Sequence, residues 1–307
     1  MSLLLALLTQ LALAVPHIDP PSLLYEWHIS RDELPQASLR ALHVARFTVP
    51  ASLMVDGDPH SDRVTVPVTA YLYQHHTHGL VLIDPAFGER TQQDPDDLPG
   101  ERFARRHGLV MGATARDQIL AAGLDPNDVH HIIVTHLHAD HAAAIEDFPN
   151  ATLWVAEAEW KRAQRRHGPY RPSAYAKHGD VQTIRFNAAN NLQPYGAFED
   201  HVDLFGDGGL ILLPTPGPTP GHLSVLVNLY GGSYLITGDV AWRDANWQQP
   251  APKGMWYRTF HEDNWAECVR SGYRIRDWTQ RYPELHILAA HEPENLNRLP
   301  PFPDTMR

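Results

Sequence analysis

His136-Leu137-His138-Ala139-Asp140-His141 follows directly on the apolar run Ile132-Ile133-Val134-Thr135. This stretch constrains the fold more than any other, because it asks a strand to end where three imidazoles and a carboxylate converge. On an extended segment His136 and His138, two apart, point to the same side. Asp140 and His141 follow where the chain turns into a helix, so they can face a second metal beside the first. Imidazole and carboxylate suit zinc, iron or manganese. A solvated His-rich turn is the rival reading, and three downstream features weigh against it. Thr215-Pro216-Gly217-Pro218-Thr219-Pro220-Gly221-His222 puts one His in a Pro/Gly-rich turn ahead of the apolar run Leu223 to Leu229. Tyr234-Leu235-Ile236-Thr237-Gly238-Asp239 reads as a short strand ending on a carboxylate, and Leu285-His286-Ile287-Leu288-Ala289-Ala290-His291 as one ending on a His. Each candidate thus sits at a strand end, where loops carry sites on a rigid scaffold. Five His and two Asp are what a two-metal hydrolytic site needs, with one carboxylate bridging.

Composition narrows the partners. A formal charge of −11 disfavours nucleic acid, which needs a basic surface. Cys268 is the single cysteine, so an intrachain disulfide is excluded, and its place in a helical pattern reads as a packed, inert thiol. Leu3 to Val15 is nearly all apolar but shorter than the roughly 20 residues of a bilayer span. Residues 1–15 therefore read as a signal peptide, with Ala12-Leu13-Ala14 as a small-x-small cleavage site, or as a retained N-terminal helix. No Lys or Arg precedes Arg31. Export is slightly favoured over a cytoplasmic location. Oligomeric state is open.

Along the chain, residues 16–59 mix Pro-Pro punctuation with short apolar pieces and read as an N-terminal extension before a domain over 60–307. Val66 to Tyr73 and Leu80 to Asp84 read as paired strands. His75-His76-Thr77-His78-Gly79 between them reads as a hairpin turn rather than a metal site. Asp84, at a strand end, reads by itself as a turn former. Arg90 to Arg106 reads as a surface loop. Thr114 can cap a helix through Ala122, stopped by Gly123. His130 and His131 read as structural, and the basic residues Lys161, Arg162, Arg165 and Arg166 as a solvated helix face. The irregular segment from Tyr170 to Phe198, with Tyr170, Tyr175 and Tyr195, is a candidate pocket wall. Asp263 to Arg281 has helical periodicity that turns Trp265, Val269, Ile275 and Trp278 to the core.

The pattern His-x-His-x-Asp-His, followed by single His, Asp and His ligands in that order, resembles the metallo-β-lactamase fold superfamily from about Val66 to Glu292. Asp147-Phe148-Pro149-Asn150-Ala151-Thr152, Ala158-Glu159-Trp160 and Leu204-Phe205-Gly206-Asp207-Gly208 resemble its acyl-homoserine lactonase-like branch. The resemblance implies a four-layer αββα sandwich with metals at the sheet edge where two αβ halves meet. It implies two divalent ions, zinc first and iron or manganese as alternatives. His136, His138 and His222 would hold one, and Asp140, His141 and His291 the other, with Asp239 bridging. Asp84 would be the supporting carboxylate. The implied activity is lactone opening by a metal-bridging hydroxide, with Asp140 also shuttling a proton. Glyoxalase II-like thioester hydrolysis shares all seven ligands. An iron-dependent sulfur dioxygenase and a β-lactamase are more distant alternatives, the latter because its family usually carries Cys or Ser where Asp239 stands. The sequence departs from the pattern at Pro218, at Ala143-Ala144, at Glu292 and at Trp242. The last replaces a lactonase tyrosine, and Trp242 is expected to form an apolar pocket wall.

Overall fold

The computed structural model describes residues 25–27, 29–95, 106–164, 169–186 and 194–299. The expected signal peptide or helix of residues 1–15 lies outside them. Twelve strands are present among the described residues: β1 Ala37–Pro50, β2 Arg63–His75, β3 Gly79–Ile83, β4 Val110–Met111, β5 Val129–Ile133, β6 Thr152–Ala156, β7 Val181–Ile184, β8 Val202–Asp203, β9 Leu210–Pro214, β10 Leu223–Leu229, β11 Gly232–Ile236 and β12 Leu285–Leu288. They form a seven-stranded sheet in the order β4-β1-β2-β3-β5-β6-β7 and a five-stranded sheet in the order β12-β11-β10-β9-β8.

Side-chain alternation explains how the sheets stack. Val81 and Ile83 of β3 and Ile133 of β5 join Val225, Val227, Tyr234 and Ile236 of the second sheet in one shared core. Their neighbours Leu82 and Ile132 point the other way, into a core with the outer helices. On the far side Leu226 and Leu235 meet Ile275 and Trp278 of the helix Trp265–Arg281. A strand covered on both faces reads as continuously apolar, with period two deciding which core each residue enters. The result is the four-layer helix–sheet–sheet–helix sandwich expected from the sequence.

Residues 16–59 are not an appended extension in their described part. β1 lies within that range and pairs antiparallel with β2 from Ala37↔His75 to Pro50↔Arg63. The β2–β3 hairpin turns as expected. His75 closes it: its Nδ1 accepts the N–H groups of Thr77 and His78, both at 3.0 Å, and its Nε2–H donates to Asp207 at 2.9 Å. With both nitrogens committed, His75 has no lone pair for a metal, although His75, His78 and Asp207 lie close enough to suggest one. Thr114 forms a capping box with Asp117 at the start of the helix Ala115–Ala121. Of the expected basic face, Arg162 is tied to Asp263 by paired hydrogen bonds of 3.0 Å. No helix of the described residues is long and apolar enough to cross a membrane.

Candidate metal centre

The strand ends of both sheets meet on one edge, and the seven candidate ligands arrive there from four places in the chain. His136 leaves β5, and His138 caps the short helix Ala139–Ala142, which carries Asp140 and His141. His222 precedes β10, Asp239 follows β11 and His291 follows β12. Gly238 lets Asp239 in: its φ is +54°, and an added Cβ would lie 2.6 Å from His222 Nε2. Only glycine combines that left-handed backbone with so close an approach.

Asp239 sits at the centre, almost wholly buried. Its carboxylate lies 3.1 Å from His141 Nε2, 3.5 Å from His136 Nε2, 3.7 Å from His291 Nε2 and 4.0 Å from His138 Nδ1. Asp140 Oδ2 is 3.8 Å from His141 Nε2 and 3.6 Å from His291 Nε2. Two three-donor groups result, sharing His141: His136 with His141 and Asp239, and Asp140 with His141 and His291. His138 and His222 flank the first group through His136, at ring separations of 4.3 and 5.1 Å.

The surroundings fix which nitrogen each imidazole presents. Asp84, with an uncommon φ of +48°, accepts from Thr135 N–H at 2.7 Å, from Thr135 Oγ1 at 2.8 Å and from His141 Nδ1–H at 2.8 Å. Because the Thr135 hydroxyl donates to Asp84, it accepts from His136 Nδ1–H at 3.1 Å. On the other side the Ser224 hydroxyl donates to the Thr237 carbonyl, so Thr215 donates to Ser224 and accepts from His222 Nδ1–H at 2.9 Å. His291 Nδ1–H donates to the Pro67 carbonyl at 2.8 Å. Four histidines therefore turn an Nε2 inward, as partners at the remote nitrogen commonly arrange for metal ligands.

This donor set fits two divalent cations. His136 Nε2 is buried with no hydrogen-bond partner, which costs free energy unless something binds its lone pair. Burial, aided by the neighbouring imidazoles, holds His138 and His222 well below the ordinary histidine range, in the neutral form that ligates. Burial would also lower His141, but Asp84, Asp140 and Asp239 outweigh it and hold the ring well above its ordinary value. Burial would raise Asp239, yet His141 and His136 keep it well below the carboxylate range. A cation would replace the proton on His141 among those three carboxylates. His222 is the exception in geometry: its Nε2 accepts the Asp239 N–H at 2.9 Å, a contact that ligation must open.

Thr135, Thr215, Ser224 and the Pro67 carbonyl were not singled out from the sequence. Glu159 adds another buried support, accepting the Leu137 N–H at 2.9 Å beneath the His136–His138 turn. Glu292 stays outside the cluster, accepting from Arg243 Nε and Asp244 N, both at 3.0 Å. The Cys268 thiol is buried, and burial pushes it above the ordinary thiol range although Lys253 at 3.4 Å acts the other way.

A cavity of about 770 Å³ opens onto this cluster at His138, Asp140 and His291. Its apolar wall comes from Phe47 and Val49 of β1, Val66 of β2, Leu53, Met54 and Phe87, with Trp242 and Tyr257 near the metal-binding side. Of the sequence candidates only Trp242 lines it. Tyr170 is buried behind His138 at a ring distance of 5.1 Å. Tyr195 hydrogen-bonds Trp27 Nε1 at 3.2 Å and packs on Trp278, on the outer face of the second sheet. The expected wall from Tyr170 to Phe198 is thus corrected in its described part. Those tyrosines anchor layers, and the cavity wall comes from the N-terminal strand and the helix Met255–Phe260.

Comparison with known proteins agrees with this geometry. The sequence model of the metallo-beta-lactamase superfamily matches residues 63–271. The N-acyl homoserine lactonase AttM of Agrobacterium fabrum is 33% identical over 254 residues, covering 77% of this chain and 87% of that protein. An N-acyl homoserine lactonase of Bacillus cereus is 27% identical over 194 residues, covering 62% and 70%. The structure of an N-acyl homoserine lactone hydrolase, with its product N-hexanoyl-L-homoserine at the catalytic metal centre, superposes with a TM-score of 0.68 at 22% identity, covering 89% of this chain and 100% of that one. AidC, a dizinc quorum-quenching lactonase, superposes with a TM-score of 0.57 at 13% identity, covering 94% of each. From the strand-end ligands, the four layers and these matches together, the chain belongs to the metallo-beta-lactamase superfamily.

Proposed function

We propose that this protein is a dinuclear metallohydrolase that opens the ring of an acyl-homoserine lactone. The observation that carries this reading is the cavity itself: polar and ligand-lined at His138, Asp140 and His291, apolar along Phe47, Val49, Leu53 and Phe87. A lactone head with an acyl tail has the same division. The similarity to N-acyl homoserine lactonases, at 33% identity for AttM, supports it.

His136, His138 and His222 would hold one metal, and Asp140, His141 and His291 the other, with Asp239 between them. Two divalent ions bound there supply polarisation of the ester carbonyl and a hydroxide at neutral pH. Zinc suits this nitrogen-rich set, and iron or manganese would bind the same donors. Asp239, buried and held ionised, is the fixed negative charge that keeps two cations together. Asp140 is less buried than Asp239 and borders the cavity, so it can carry a proton as well as ligate. In the overall step a water oxygen joins the acyl carbon and the bond from that carbon to the ring oxygen breaks. Asp140 delivers a proton to the departing ring oxygen, which leaves as an alcohol. The apolar wall removes the acyl tail from water and holds the ester over the ligands.

The test is a substrate panel on the metal-loaded protein, with lactones of several chain lengths, thioesters and β-lactams assayed side by side. Lactone turnover is expected to dominate. Brisk thioester hydrolysis with no lactone opening at any chain length would replace this reading with the glyoxalase II-like one.

A further inference from the structure

Trp242 stands where a lactonase of this branch is expected to carry tyrosine. Its indole N–H is buried without a hydrogen-bond acceptor, so it does not face the cavity. The cavity nevertheless holds one phenol among the residues that line it, and it comes from another element. Tyr257 belongs to the helix Met255–Phe260 and packs at a tilt against Trp242, with ring centroids 4.2 Å apart. Trp242 in turn packs edge-on against the ligand candidate His291 at 5.5 Å. The hydroxyl of Tyr257 hydrogen-bonds no other described residue.

The supports of Tyr257 are rigid. Gly254 starts its helix so close to Ser52 that an added Cβ would lie 2.1 Å from the Ser52 carbonyl. Arg258, the next residue, is buried and paired with Asp56 at 2.7 Å. His261 stacks against the Tyr257 ring at 5.1 Å, and Lys253 lies 5.3 Å from the Trp242 ring, so both aromatic partners are braced. A donor held this way is pre-organised, and pre-organisation gives a hydrogen bond its value in a transition state.

We propose that Tyr257 is a catalytic residue: its phenol donates a hydrogen bond to the lactone carbonyl oxygen as charge builds there, with Trp242 serving as the surface that orients it. The phenolic proton stays on Tyr257 throughout, so no group is transferred. Burial holds the Tyr257 phenol above its ordinary range, so it stays protonated and is a donor at neutral pH. This inference rests on the lactonase reading above.

Tyr257→Phe removes only the hydroxyl and keeps the ring on Trp242. The variant and the wild type are compared in lactone kinetics, in metal content, in thermal unfolding and in calorimetric binding of N-hexanoyl-L-homoserine. Loss of one transition-state donor lowers kcat by about 10²-fold. KM should move by less than about threefold, because the bond strengthens mainly with the developing charge. Product affinity should fall, with metal content and melting temperature unchanged. A variant with wild-type kcat, or with the whole loss in KM, overturns the proposal. So does loss of metal or of stability in step with activity, which would make Tyr257 a packing residue. Absence of lactone turnover by the fully metal-loaded wild type would instead remove the lactonase reading, and the donor role with it.

Discussion

Replacing Asp84 by Asn exchanges one carboxylate oxygen for an amide nitrogen at a buried position that touches no substrate. Asn tolerates the φ of +48° at this residue, so the backbone can stay where it is. The Asn oxygen still accepts the Thr135 N–H, now 2.7 Å from Asp84. The amide nitrogen then faces His141 Nδ1, 2.8 Å away, and can only donate. His141 must accept at Nδ1 and carry its proton on Nε2, the nitrogen 3.1 Å from Asp239. That tautomer has no inward lone pair.

Substituting such a partner commonly costs 10- to 100-fold in metal affinity, or about 1.4–2.7 kcal/mol. Since His141 would hold one metal together with Asp140 and His291, that metal should weaken most. Fold stability should change less, because the variant also removes a buried charge and keeps the Thr135 backbone bond. Competition against a chromophoric chelator measures the affinities, and thermal unfolding of the metal-free protein measures the fold. Asp84→Asn with wild-type affinity at the site of Asp140, His141 and His291 would refute the argument that Asp84 sets the His141 tautomer.

Asp239→Asn removes the central charge facing four histidines, so both metals should be lost together while the far-UV circular dichroism is retained; unchanged metal stoichiometry and turnover would move the bridge elsewhere. His75→Ala orphans two turn N–H groups and Asp207, and should lower stability by about 1–3 kcal/mol in thermal unfolding while metal content stays the same. Falling metal content would restore a third metal site. Burial pushes the Asp147 carboxyl up to about 6 from 3.8, so its contribution to stability is complete below about pH 4 and is lost as pH rises through 6. Asp147→Asn should therefore be more stable than the wild type at pH 7.5, by on the order of 1 kcal/mol after screening of this partly exposed group, with the difference closing toward pH 4. Denaturant unfolding at the two pH values checks it, and a difference independent of pH would count against it.

The clustering of the candidate metal ligands was legible because its chemistry is local. His136 to His141 hold four candidate ligands in six residues, His222 opens an apolar stretch, and Asp239 and His291 each end one. Even Asp84 was readable as a strand-end carboxylate. What fixes the ring orientations was less legible: Thr135 and Thr215 are ordinary threonines until the fold brings them to imidazoles, and the partner of His291 is a backbone carbonyl in β2. β1 escaped because a register shift between His43 and Ala45 breaks the period-two signal on which a strand is recognised.

The substrate half was hidden for a different reason. Tyr170 and Tyr195 were chosen because aromatic residues in an irregular segment suggest a pocket, but burial against His138 and Trp27 uses them for packing. The cavity wall joins Phe47, Val66, Phe87 and Tyr257, which belong to separate elements and become neighbours only when the first sheet and the helix Met255–Phe260 close on each other. No window of sequence contains that surface. For the same reason position 242 misleads when read by its own chemistry. An indole there looks like a missing donor, but beside Tyr257 at 4.2 Å it is a ring against which a donor can be held. A tyrosine displaced from one element to another leaves the motif altered while the cavity keeps a phenol, so the unit that carries specificity is the wall and not the motif.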